Sequence, residues 1–291
     1  CTGIWKDEHV DGLKDITKVF KEHNCVSGIQ LAHAGRKASC LRPWDGATSI
    51  IKNNGPEDLW ETYAPSALAV NENFQTPREL SIQNIEKIKS DFCNAAKRAN
   101  EANFEMLEIH GAHGYLLHSF FSPLSNHRSD KYGGTLENRM LLPLEIVKDV
   151  RNVWPLNKPL FYRVSSSDYV EGGNTITDNI ILAQALADLG VDIIDCSSGG
   201  ISGSPILAKS PIVPGFQVPY SQKIKEEVDI QTMAVGAIID AEQAETIISS
   251  NRADLVAIGR ELLADPQWTY KAALKLSPEN AESLYYQQFL R

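Results

Sequence analysis

The segment EHVDGLKDITKVFKEHN, residues 8–24, places Val10, Leu13, Ile16, Val19 and Phe20 at helical spacing with charged residues between them, which predicts an amphipathic helix. VSGIQLA, residues 26–32, is a short apolar run suited to a buried strand. From Lys37 to Phe74 no periodicity appears and Gly, Pro and Asn are frequent, which predicts a long insertion loop. SIQNIEKIKSDFCNAAKRANEAN then aligns Ile82, Ile85, Ile88, Phe92, Ala96 and Ala99 on one helical face, and FEMLEI, residues 104–109, follows as a strand. The alternation continues with helices near 135–152, 178–189, 219–228 and 241–249 and strands at 159–164, 191–196, 232–236 and 253–259. Asp240 is placed as an N-cap, and Gly190 as a helix stop.

Six apolar strands alternating with helices predict a parallel α/β sheet covered on both sides. The regular repetition favours a (β/α)8 TIM barrel over a doubly wound sheet, because the polar and glycine-rich segments all follow strand C-termini. A closed barrel needs eight strands, and the chain opens on a helix. The reading is therefore a single domain over 1–291, N-terminally incomplete, carrying barrel strands three to eight and an insertion loop at about 37–74.

Composition narrows the class. The 291 residues are 43% hydrophobic and 22% charged, without the apolar run of ~18 residues that a membrane span needs. A formal charge of −9 lacks the basic footprint that nucleic acid requires. Five scattered cysteines, with no CxxC pair, suit reduced thiols and a cytoplasmic location.

Candidate chemistry gathers at three places. In EIHGAHGYLLHSF, residues 108–120, His110 and His113 are three apart after a strand, not at the i, i+4 spacing of a helical zinc pair, so no metal is expected. Two neutral imidazoles there can donate to one carbonyl or nitro oxygen, and the Tyr115 phenol beside them can deliver a proton. His118 sits in apolar LLHSFFS and reads as structural. The loops AVGAI and AIGREL follow the last two strands, where barrels often bind phosphate; Gly236 and Gly259 allow close backbone approach and Arg260 adds a cationic fork. Arg163 ends PLFYRV and Gln30 interrupts apolar GIQLA, each suited either to a flavin ring or to an ordinary core contact.

QLAHAGRKA at 30–38, EIHGAHGYLLHSFFSPLSNHRSDKYGG at 108–134, ENR at 137–139, RVSSSD at 163–168 and the AVG and IGREL segments resemble the old yellow enzyme family of FMN-dependent ene-reductases, above all its thermophilic-like branch. The resemblance implies a TIM barrel with non-covalent FMN, reduced by NADPH or NADH. Hydride then passes from flavin N5 to an enone, enal or nitroalkene. It implies that His110, Gly111, Ala112 and His113 bind substrate, that Tyr115 is the proton donor, and that Gln30, Arg163, Gly236, Gly259 and Arg260 contact FMN. It also implies a homo-oligomer in which Arg291 reaches a neighbouring subunit's site. RPWDGATSIIKNNGPEDLWE, residues 42–61, is longer than in compact bacterial members, and its Trp44 and Trp60 are placed to cover the site. Two alternatives stand beside this reading: a related FMN barrel for dienoyl-CoA or amine substrates, and a truncated barrel that does not retain FMN.

Overall fold

A computed structural model of the protein describes residues 2–50, 59–202, 213–281 and 284. Strands β1 (Gly28–Leu31), β4 (Met106–Gly111), β5 (Leu160–Ser165), β6 (Ile193–Ser197), β7 (Gln231–Val235) and β8 (Leu255–Ala257) form one parallel sheet in that order. Two short strands, β2 (Tyr63–Ala64) and β3 (Arg78–Glu79), pair by themselves inside and just beyond the segment expected to be a plain loop. The expected α/β class and the six principal strands are therefore present.

Ten α-helices are described: α1 (His9–Glu22), α2 (Ile82–Glu101), α3 (Leu116–Phe121), α4 (Leu136–Val153), α5 (Ile176–Asp188), α6 (Val218–Glu227), α7 (Ala241–Ser249), α8 (Arg260–Ala264), α9 (Trp268–Leu276) and α10 (Pro278–Ala281). Their starts follow local chemistry. The Ser81 and Thr135 hydroxyls accept from Asn84 N and Asn138 N, Thr175 and Asp178 form a reciprocal capping box, and Asp240 accepts from the amides of Glu242 and Gln243. Helix α3 has no sequence signature, because all six of its residues are buried and no polar face alternates with an apolar one.

The main core joins Ile85, Ile88 and Phe92 of α2 to Leu142, Ile146 and Val150 of α4 over Leu107, Ile109, Leu160, Tyr162 and Ile194 of the sheet. Each fully buried aliphatic side chain contributes about 1.5–3 kcal/mol. The central strands β4, β5 and β6 are almost wholly buried, as expected. The end strands are not: Gly28 and Gln30 of β1 and Leu255 of β8 are exposed, and no residue of α8 or α9 is buried. None of the helices among the described residues is long and apolar enough to cross a membrane.

Candidate active site

Strand β4 ends two residues later than its apolar run indicates, so His110 lies within the strand, beside Arg163 of β5 in register. It shares a face with Glu108, because alternate residues of a strand point the same way. Gly111 and Ala112 are buried, and the chain then turns through His113 (φ 59°) and Gly114 (φ 74°) into Tyr115, the N-cap of α3. This turn is pressed against the loop after β6. A Cβ on Gly114 would meet Gly200 O at 2.4 Å, and one on Gly200 (φ 91°) would meet His113 Cα at 2.7 Å. Only glycines allow the two loops to interlock.

Hydrogen bonds fix the turn from several sides. His113 N donates to Ser165 Oγ at 2.9 Å, and that hydroxyl donates to Gly199 O at 2.9 Å. His113 Nε2 shares a 2.7 Å hydrogen bond with Ser197 Oγ. Lys37 Nζ donates to His113 O at 2.7 Å and also to Gly200 O. Burial, with Arg36 adjacent, pushes the Lys37 ammonium down to about 8. Below the turn, Gly114 N donates to His118 Nδ1 at 2.8 Å, which puts the ring proton on Nε2, 2.7 Å from Asp168 Oδ1. Asp168 Oδ2 also accepts from Ser122 Oγ and Asn174 N, at 2.7 and 2.8 Å. His118 is thus buried, as its apolar context indicated, with both ring nitrogens bonded within the protein.

The two remaining histidines and Tyr115 come together. The His110 ring lies 5.2 Å from that of His113 and 5.1 Å from that of Tyr115, edge-on to the phenol. Burial first, then the Arg163 cation, pushes His110 down to about 3 and His113 to about 2, so both are neutral at physiological pH. Burial raises the Tyr115 phenol above its ordinary value, keeping it protonated. His110 Nδ1 is buried with no hydrogen-bond partner. An unpaired imidazole nitrogen beside a protonated phenol can bind one polar oxygen and transfer a proton.

Arg163 and Gln30 each lie against a neighbouring strand's carboxylate. Arg163 Nε lies 3.1 Å from Asp195 Oδ2, close enough for an ion pair but poorly aligned for a hydrogen bond, and its Nη2 reaches Ser197 Oγ at 3.5 Å. Gln30 Nε2 donates to Glu108 Oε1 at 2.5 Å. The phosphate candidates occupy neighbouring strand ends, since Val235 of β7 pairs with Ala257 of β8. Gly236 (φ 121°) follows β7, and a Cβ there would crowd Gln217 Nε2 at 2.7 Å and the Phe216 ring at 2.9 Å. A Cβ on Gly259 would meet nothing within 4 Å, so the backbone there borders open space, and exposed Arg260 begins α8. An unpaired buried imidazole nitrogen, a guanidinium at mid-sheet and an open glycine backbone beside a cation fit a phosphorylated flavin.

Trp44 and Trp60 are exposed, and Arg291 lies outside the described residues. Sequence reasoning missed Lys37, Glu108, Ser165, Asp195 and Ser197. For Glu108, Ser165, Asp195 and Ser197 the signal was polar residues inside or directly after apolar strands, in FEMLEI, VSSSD and DCSSGG, where a purely structural strand has no need of them; Lys37, in the loop after β1, carried no such signal.

Polar side chains collected at the carboxyl ends of parallel strands mark an α/β enzyme of the barrel type. The model of the NADH:flavin oxidoreductase / NADH oxidase family matches residues 1–279. An NADPH dehydrogenase of Bacillus subtilis (strain 168) is 44% identical over 286 residues, covering 98% of this chain and 78% of its own length. Among solved structures, a 2-naphthoyl-CoA reductase complex superposes with a TM-score of 0.81 at 25% identity, over 96% of this chain and 42% of that one. Morphinone reductase superposes with a TM-score of 0.74 at 25% identity, over 94% of this chain and 72% of its own. The chain belongs to the NADH:flavin oxidoreductase family of FMN-dependent oxidoreductases.

Proposed function

We propose that the protein uses NADPH or NADH to reduce the activated C=C bond of enones, enals or nitroalkenes. When bound, FMN supplies the hydride. His110 and His113 bind the carbonyl or nitro oxygen as neutral imidazoles, and Gly111 and Ala112 shape the turn that presents them. Tyr115 holds the proton that the α-carbon receives. Gln30 and Arg163 face the flavin ring, with Arg163 balancing negative charge on it, while Gly236, Gly259 and Arg260 hold the phosphate. The observation that carries this reading is the cluster of two neutral histidines and one protonated tyrosine, set beside the Arg163 cation.

The reading extends to the assembly. The six principal strands correspond to strands three to eight of a barrel, in one domain with an insertion at about 37–74, and exposure of β1 and β8 supports it. A homo-oligomer in which Arg291 enters a neighbouring site belongs to the same proposal. Rapid mixing separates the two half-reactions: Tyr115→Phe should slow alkene reduction at least ~100-fold, the usual worth of a general acid, and leave flavin reduction by NADPH near wild type. Equal slowing of both half-reactions removes Tyr115 from the proton-donor role.

A further inference from the structure

A second titratable cluster lies in the sheet itself. Glu108 of β4 and Asp195 of β6 flank Arg163 of β5, and the two carboxyls are 6% and 1% exposed. One oxygen of each has a partner, Gln30 for Glu108 and Arg163 for Asp195. The other two, Glu108 Oε2 and Asp195 Oδ1, are buried without any donor. The carboxyls are within hydrogen-bond reach of each other. Two ionised carboxylates here would set two negative charges against one guanidinium, each with a buried oxygen that lacks a donor. One proton between them removes the repulsion, satisfies both oxygens and brings the cluster to neutrality.

We propose that Glu108 and Asp195 hold one shared proton, and that this acid pair sets how much of the Arg163 charge is available to the flavin. The proposal rests on the flavin reading of the site. Burial drives both carboxyls upward, Asp195 despite the Arg163 cation beside it. Arg163 from β5 lies against the pair, with His110 further along β4 in register with it, while His113 and Lys37 belong to the loops beyond the strand ends. Strand β1 adds neutral Gln30, and β7 places Met233 opposite Asp195. The histidines are uncharged, so Arg163 is the cation that acts on both carboxyls and the pair is the acid that titrates.

The reduced flavin carries added negative charge, so the pair binds its proton more tightly then than when the flavin is oxidised. Over the pH interval between those two affinities, each two-electron reduction takes up one extra proton from solvent at the pair. Glu108→Gln keeps the shape and an amide donor for Asp195. It leaves the cluster neutral at pH 7, with Asp195 ionised against Arg163 and no proton to exchange.

Potentiometric titration of the flavin-loaded protein with dithionite, repeated across pH, reads this directly. The midpoint potential of the wild type should fall with a steeper slope just above the pH where the pair begins to ionise, and Glu108→Gln should show one constant slope. Parallel slopes overturn the proposal. The infrared band of a buried protonated carboxyl should appear at pH 7 in the wild-type minus Glu108→Gln difference spectrum, with or without flavin, and its absence also overturns it. A band in protein that binds no flavin would leave the shared proton standing and sink the flavin reading instead.

Discussion

His110 and His113 lose their charge to burial, and that loss is a stability term. Both have folded values below 6.5, so from about 3 upward for His110 and about 2 upward for His113 the unfolded chain binds more protons than the folded one, until pH 6.5. Stability therefore rises with pH across that window and is fully present above it, each histidine adding roughly 1.4 kcal/mol per pH unit within it. Denaturant midpoints measured from pH 4.5 to 7 should show a shallower acid limb in His110→Asn or His113→Asn than in the wild type. Parallel limbs would mean that these rings titrate normally in the folded protein. At this scale the histidines, Tyr115, Gln30 and Arg163 were legible as residue types, but their partners were not. Nothing in the local sequence joins Arg163 to Asp195 or His113 to Ser197; strand register does.

The loop between β4 and α3 depends on elements distant in sequence. Asp168, after β5, accepts from His118 within α3, from Ser122 at its C-cap and from the amide of Asn174 before α5. Asp168→Ala leaves those donors buried and unpaired, and should cost about 3–5 kcal/mol by chemical denaturation. A loss below about 1 kcal/mol would show that the network is not what anchors α3. Hydropathy found the helices α1, α2, α4, α5, α6 and α7 and the six principal strands because each carries a periodic or continuous apolar signal. It ended β4 at Ile109 because the inward residue that follows, His110, is polar, and it overlooked α3 because burial on every side leaves no period. The functional face of a strand is where hydropathy fails first, since chemistry replaces apolar residues there.

The whole sheet has one well-covered centre and two exposed ends. Gln30 of β1 and Leu255 of β8 are exposed, although parallel strands are normally buried on both faces, and exposed strand edges favour association. If these are strands three and eight of a barrel, a version extended upstream by two βα units should retain more flavin and melt at a higher temperature than residues 1–291 alone. Equal flavin content and equal melting would contradict that numbering. The most direct test of the central claim is the anaerobic visible spectrum of the purified protein. The account predicts bound flavin that bleaches on addition of NADPH and recovers its absorbance when 2-cyclohexenone is added. Protein that carries no flavin, or whose bleached flavin does not recover with the enone, would contradict it.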